Sequence, residues 1–137
     1  MVKRRTNTAI LQIGGSEPDV EFMQVMCARS GWEPSFTVIH DGRAAIGRIT
    51  ERAAGIPRPH LILLDLDGLG QQGHELLTLI RSQPEMDGIP IVMLTDIPDS
   101  TERQRSLSLG AAFHVLKPTG VEEASRLMQQ LEACLPT

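Results

Sequence analysis

The sequence predicts an α/β fold in which helices cover both faces of a five-stranded parallel sheet. Short apolar runs such as LILLD and PIVML are typical of strands buried on both sides. These runs alternate with segments of helical spacing, which favours a doubly wound sheet with right-handed crossovers. With 137 residues, 41% of them hydrophobic, the chain has the size and composition of one folded domain.

Five strands and five helices are predicted in alternation. The strands span residues 9–13, 35–40, 61–65, 89–95 and 112–117. Pro18 fits the first turn of the first helix, Asp41 can cap the second, and the third covers about 73–82. The fourth and fifth helices begin at sequences with capping-box spacing, Asp99-x-x-Glu102 and Thr119-x-x-Glu122.

Charge and hydropathy exclude several classes of protein. A net charge of −4 argues against general nucleic-acid affinity. No run approaches the ~20 apolar residues of a membrane span, and the basic start MVKRRTNT is not followed by the apolar stretch of a signal peptide. We therefore expect a cytoplasmic protein with a flexible N-terminus over 1–8, a single domain over 9–135 and no output domain.

Three side chains with related chemistry close three of the predicted strands. Asp65, Thr95 and Lys117 lie at the carboxyl ends of the third, fourth and fifth strands, and ligands of doubly wound sheets bind at that edge. A carboxylate can act as a nucleophile toward a phosphoryl group, while a lysine and a hydroxyl suit the charged phosphoryl oxygens. The set predicts phosphoryl chemistry.

The segments PHLILLDLDGLGQQGHELLTLIR, IPIVMLTD and GAAFHVLKP resemble the receiver domain of two-component response regulators. The resemblance covers essentially the whole chain and implies the flavodoxin-like receiver fold, with strand order 2-1-3-4-5. It matches Asp65 to the phosphoaccepting aspartate, Thr95 to the hydroxyl residue that reports phosphorylation, and Lys117 to the lysine that binds phosphoryl oxygens. It also implies a cis peptide bond before Pro118, and it puts His114 at the aromatic switch position.

The resemblance also exposes a departure in the loop that follows the first strand. Receivers whose first strand reads like ILLVEDNPADVEL carry an acidic pair there, and its second member is a principal Mg²⁺ ligand; this chain has Gly14 and Gly15. Asp65 and Asp67 remain as candidate metal ligands, and Asp96 is a candidate compensating acid. Mg²⁺ binding is therefore predicted to be weak or absent.

Two points stay open at the level of sequence. Ser16, Glu17 and Asp19 follow the glycine pair, but their register does not tell whether one of them supplies the missing carboxylate. His114 fits either an amphipathic ring at a half-exposed position or a pH-responsive replacement for the aromatic switch.

Three functions are compatible with these features. The first is a receiver phosphorylated at Asp65 by a sensor histidine kinase or phosphotransfer protein; it signals to a downstream target by protein contact and can form a homodimer through the fourth and fifth helices. Such a receiver can catalyse its own phosphorylation and dephosphorylation but is not a metabolic enzyme. The second is a receiver-like adaptor that works without phosphate. The third is a nucleotide or flavin binder that uses Gly14-Gly15-Ser16, although this stretch completes no phosphate-loop motif.

Overall fold

The computed structural model describes residues 5–51 and 58–135. Five strands form one parallel sheet in the order β2-β1-β3-β4-β5, which confirms the predicted fold class and strand order. The strands are β1 (Ala9–Ile13), β2 (Ser35–Ile39), β3 (Leu61–Asp65), β4 (Ile91–Thr95) and β5 (Phe113–Leu116).

Five helices connect or follow these strands. They are α1 (Glu17–Arg29), α2 (Gly42–Thr50), α3 (Gln71–Arg81), α4 (Ser100–Ser108) and α5 (Val121–Cys134). A single helical turn, Leu66–Leu69, separates β3 from α3, and a 3-10 turn, Pro84–Met86, precedes β4. In the part of the chain that the structure describes, no helix combines the length and the apolar character that a membrane crossing needs.

The sheet separates two hydrophobic cores because successive side chains of a strand point to opposite faces. On one face, Leu61 and Leu63 of β3 pack with side chains of α1 and α5, such as Met23 and Leu127. On the other, Ile62 and Leu64 pack with residues of α2 and α3. These four apolar side chains of β3 are fully buried, so the strand that ends at Asp65 is packed on both faces.

Element boundaries differ from the predictions where backbone chemistry decides them. β4 begins at Ile91 instead of residue 89, because Pro90 has no N–H to donate to a ladder. Asp41 caps α2 as predicted and Asp99 caps α4, accepting from the backbone N–H groups of Thr101 and Glu102.

The capping box predicted for the fifth helix is wrong. The N-cap of α5 is Gly120, one residue later than predicted, and it makes no side-chain capping bond. Thr119 instead donates from its backbone N–H and its hydroxyl to the carboxylate of Glu123. A one-residue shift of the helix start therefore moved the acidic partner of Thr119 from Glu122 to Glu123.

The ordered contacts begin before β1. Residues 1–4 lie outside the described residues, but Arg5 forms an isolated parallel bridge with Trp32, and its guanidinium carbon lies 5.5 Å from the indole centroid. Thr8 is buried as well. Within the expected flexible terminus over 1–8, Arg5 and Thr8 thus make ordered backbone contacts, whereas Thr6 and Asn7 are exposed.

Candidate functional site

Asp65 and Lys117 meet at the carboxyl edge of the sheet. Asp65 closes β3 and caps the helical turn that follows, since its Oδ1 accepts a 3.1 Å hydrogen bond from the backbone N–H of Asp67. The ammonium of Lys117, just beyond β5, lies 2.7 Å from Asp65 Oδ2. Asp65 is 0% exposed, so this ion pair forms away from solvent.

Lys117 is shared among three carboxylates. Besides Asp65, its Nζ lies 2.9 Å from Asp67 Oδ2 and 3.1 Å from Asp19 Oδ2. We call these four residues the Lys117 cluster. Desolvation alone would lower the pKa of Lys117, but its hydrogen bonds to the carboxylates raise that pKa above its ordinary value. When all four groups are ionised, the cluster keeps an excess of negative charge.

Asp67 turns its carboxylate into the site. It accepts hydrogen bonds from the backbone N–H of Asp96, at 2.9 Å, and from the hydroxyl of Thr95, at 3.3 Å. Partial burial raises the pKa of Asp67, but the bonds from Lys117 and Asp96 outweigh this effect and hold it below the ordinary value. The Asp96 side chain is exposed, and its hydrogen bond with Asp67 raises its own pKa. Asp96 thus contacts the cluster mainly through its backbone.

Asp19 is the site residue that the sequence left undecided. It is the third residue of α1 and forms a reciprocal capping box with Ser16, which aims its carboxylate toward the sheet edge. Burial raises the pKa of Asp19, but the hydrogen bond and charge of Lys117 lower it overall. The Ser16-x-x-Asp19 spacing was the signal that could have placed it, since it marks the helix start and fixes the side-chain direction.

The glycine pair brings the loop backbone against Asp65. Gly14 and Gly15 have φ angles of 82° and 90°, in the left-handed region that glycine tolerates best. A Cβ on Gly14 would lie 2.8 Å from the backbone oxygen of Asp65 and 2.9 Å from Leu69 Cγ. A Cβ on Gly15 would lie 2.9 Å from Asp65 Oδ2. The loop therefore excludes side chains at both positions in this conformation.

This arrangement does not fit a divalent metal ion of the receiver type. Neither loop position offers a carboxylate, and the Lys117 ammonium lies between the three acids at distances of 2.7 to 3.1 Å. Across residues 5–51 and 58–135, no three His, Cys, Asp or Glu side chains are grouped as metal ligands. The loop is no better suited to a nucleotide phosphate, because the Gly14 N–H already donates to Ile39 O and the carboxylate of Asp19 lies at the start of α1.

Burial of Asp65 also changes its acidity. Desolvation is the largest influence and raises the pKa of Asp65, while the ion pair with Lys117 opposes the rise without cancelling it. The carboxylate is therefore more basic than an ordinary aspartate, a property that favours nucleophilic attack.

A second polar group lies on the opposite face of the sheet edge. His114 Nδ1 lies 2.8 Å from the hydroxyl of Ser106, which lies 3.1 Å from His74 Nε2. All three residues are buried, and Glu102 Oε2 approaches His74 Nε2 at 3.4 Å. We call it the His74–Ser106–His114 chain. Sequence reasoning singled out His114 but missed its partners, because Ser106 on α4 and His74 on α3 share no local spacing pattern with a residue of β5.

The surroundings of His114 favour its neutral form. Desolvation lowers its pKa, and the nearby His74 adds to the effect. His114 and Thr95 both line a cleft of about 650 Å³ that also reaches Asp67 and Glu102. The His74–Ser106–His114 chain therefore adjoins the Lys117 cluster through Thr95.

The peptide bond before Pro118 is trans, and the prediction of a cis bond is wrong, since the described residues contain no cis peptide. The two isomers of an X–Pro bond differ by only about 0.5–1 kcal/mol, so the surrounding fold decides between them. Here the Lys117 N–H donates to the Thr95 backbone oxygen at 2.8 Å, which extends the pairing of β4 with β5.

Comparison with known proteins identifies the family of the chain. The response regulator receiver domain family matches residues 16–132, a segment that begins directly after the glycine pair. Response regulator Rcp1 of Synechocystis sp. is 27% identical over 126 residues, which cover 90% of this chain and 86% of that protein.

Solved structures show the same relationship. The Mn²⁺-bound form of response regulator Rcp1 superposes with a TM-score of 0.77 at 26% identity, covering 95% of this chain and 99% of that one. The phosphorylated cyanobacterial phytochrome response regulator RcpA gives a TM-score of 0.79 at 24% identity over 96% and 99% of the two chains, which supports the fold. The chain belongs to the response regulator receiver family of two-component signalling.

Proposed function

We propose that the protein is a phosphorelay receiver with Asp65 as its phosphoacceptor. The observation that carries the proposal is the 2.7 Å contact between the Lys117 ammonium and Asp65 Oδ2. The Thr95 hydroxyl lies nearby and donates a hydrogen bond to Asp67, which also contacts Lys117. A nucleophilic carboxylate, a cation for phosphoryl oxygens and a hydroxyl donor are the groups that phosphoryl transfer requires.

The proposed reaction moves one phosphoryl group. Asp65 Oδ2 attacks the phosphorus of a phosphohistidine on a sensor kinase or phosphotransfer protein, and an O–P bond forms as the P–N bond breaks. The electron pair of that bond leaves on the imidazole nitrogen, which takes up a proton. Lys117 must then turn from the carboxylate to the new phosphoryl oxygens, which offsets part of their charge.

The excess negative charge of the Lys117 cluster opposes an anionic donor. Asp19 and Asp67 compete with the phosphoryl group for Lys117, since both lie within about 3 Å of its Nζ. No loop carboxylate is available to bind a divalent cation that would relieve the repulsion. We expect slow phosphorylation that responds weakly to Mg²⁺.

Output is proposed to occur through protein contact on the surface of α4, β5 and α5. Each of these elements carries one exposed large apolar side chain among the described residues, namely Leu107, Leu116 and Val121. Leu116 is 53% and Val121 52% exposed, and exposed apolar side chains of this kind contribute to binding when a partner covers them. A downstream target or a second copy of the chain is the expected partner.

One observation favours the second candidate, an adaptor that signals without phosphate. Asp65 is fully buried and tied to Lys117, so a resting receiver offers no open nucleophile. In that case the fold and the α4–β5–α5 surface would carry the whole function.

Intact-mass measurement after incubation with phosphoramidate distinguishes the two candidates. We expect the wild-type chain to gain about 80 Da, one phosphoryl group, at a rate that changes little as Mg²⁺ is titrated. The Asp65→Asn variant is the control and should gain nothing. An unchanged wild-type mass, both with phosphoramidate and with a phosphorylated histidine kinase, would establish the adaptor instead.

A further inference from the structure

Gln12 is a buried amide without a visible role in the fold. It is the fourth residue of β1 and is 0% exposed, between the apolar residues Leu11 and Ile13. Neither its Nε2 nor its Oε1 has a hydrogen-bond partner among the residues that the structure describes. Because buried polar groups are nearly always paired, and an unpaired one opposes folding, such a side chain requires an explanation.

The amide lies beside the proposed phosphoacceptor. Gln12 pairs in register with Leu63 of β3, and Asp65 follows two residues later on the same face of the sheet. The position that a Cβ on Gly15 would occupy is 3.1 Å from Gln12 Nε2 and 2.9 Å from Asp65 Oδ2. The amide and the carboxylate therefore approach the same point of the loop, where Gly15 carries no side chain.

The other contacts of Asp65 leave this side of the carboxylate without a donor. Its Oδ1 accepts from the Asp67 N–H, and its Oδ2 faces Lys117 from the β5 side. A phosphoryl group on Oδ2 would bring three further oxygens, and Lys117 is already shared with two other acids. On the β1 side, the amide of Gln12 offers two N–H groups that have no partner among the described residues, beside the point that a Cβ on Gly15 would occupy.

We propose that Gln12 binds the phosphoryl group of phosphorylated Asp65, donating its amide N–H to a phosphoryl oxygen. The inference rests on the proposed function. Hydrogen bonds to an ionised acceptor are stronger than those between neutral groups, so the amide supports the charged product where the loop supplies no metal-binding carboxylate. Gln12 is paired only when Asp65 is phosphorylated, which explains why a buried amide without partners persists in the resting protein.

The variant Gln12→Met tests the proposal because it keeps the length of the side chain and removes both polar atoms. We expect the lifetime of the Asp65 phosphoryl group, followed by intact mass, to fall about tenfold. The midpoint of urea unfolding of the resting protein should stay unchanged or rise, because the variant no longer buries an unpaired amide. Gln24→Met, an exposed change on α1, is the matched control and should leave both properties unchanged.

A direct readout is the side-chain NH₂ signal of Gln12 in ¹H–¹⁵N spectra. Beryllium fluoride, a mimic of the phosphoryl group, should shift that signal in the wild type but not in Asp65→Asn. If wild type and Gln12→Met are phosphorylated with equal lifetimes, or if the NH₂ signal does not move, this inference is overturned while the proposed function stands. A wild-type chain that accepts no phosphoryl group overturns both.

Discussion

The two faces of the sheet edge bury polar side chains in opposite ways. On the face of α1 and α5, the Lys117 cluster gathers three carboxylates around one ammonium. On the other face, the His74–Ser106–His114 chain joins α3, α4 and β5 through one hydroxyl. Thr95, at the end of β4, adjoins both, since it donates to Asp67 and lines the cleft that contains His114.

The difference shows how charge and hydrogen bonding hold buried groups. In the cluster, one shared cation contacts all three carboxylates and offsets part of their charge, so removing it leaves like charges facing each other. In the His74–Ser106–His114 chain, the one hydroxyl hydrogen of Ser106 determines which ring nitrogen donates and which accepts. The stability of this group therefore depends on hydrogen-bond geometry. The Lys117 cluster is therefore suited to respond to a new anion. The His74–Ser106–His114 chain is suited to hold α4 in place.

The largest expected effect comes from removing the shared cation. Lys117→Met should lower the free energy of unfolding at pH 7 by about 3 kcal/mol, because Asp65 would remain buried beside Asp67 and Asp19 without a counterion. Urea denaturation measures the loss. Adding Asp65→Asn to the variant should restore much of the stability, because it removes the buried charge.

A loss below about 1 kcal/mol in Lys117→Met would contradict this account. It would show that the cluster behaves like an exposed ion pair, and the contrast between the two faces would disappear.

The contrast between the two faces also explains which parts of the fold and the site could be predicted from the sequence. Asp65, Thr95 and Lys117 close consecutive strands, so topology alone brings them to one edge. The doubly wound fold followed from the alternation of strands and helices, whereas the strand order was implied by the resemblance to receiver domains. Asp19 and Gln12 were not placed, because their roles depend on how α1 and β1 pack against β3. His74 and Ser106 lie 32 residues apart, and no local pattern pairs them. The isomer of the bond before Pro118 is likewise decided by tertiary context.

A smaller effect is expected from the neutral face. Ser106→Ala removes the hydroxyl shared by His74 and His114 and leaves two buried ring nitrogens without that partner. We expect a loss of about 1–3 kcal/mol in the free energy of unfolding. Ser108→Ala, on the exposed side of α4, is the matched control and should stay within about 0.5 kcal/mol of the wild type. Equal stability of the two variants would show that the His74–Ser106–His114 chain does not hold α4 in place.

The smallest expected effect is the contribution of His114 to the pH dependence of the free energy of unfolding. Because its pKa in the folded protein lies below the ordinary 6.5, the unfolded chain binds more protons near and below that pH. The stabilisation is thus complete above pH 6.5 and is lost as the pH falls. His114 is surrounded by His74, Glu102, Arg103 and Asp99, whose charges partly offset one another.

His114→Phe isolates this contribution because the other groups titrate in both proteins. Between pH 7.5 and 5.5, the wild type should lose more free energy of unfolding than the variant, by no more than about 1.4 kcal/mol, the value of one pKa unit. Urea denaturation at the two pH values measures the difference. Parallel losses would show that His114 titrates as it does in the unfolded chain. The neutral face would then lack the pH sensitivity that distinguishes it from the Lys117 cluster, in which the pKa of Asp65 is raised and the pKa values of Asp19 and Asp67 are lowered from the ordinary aspartate value.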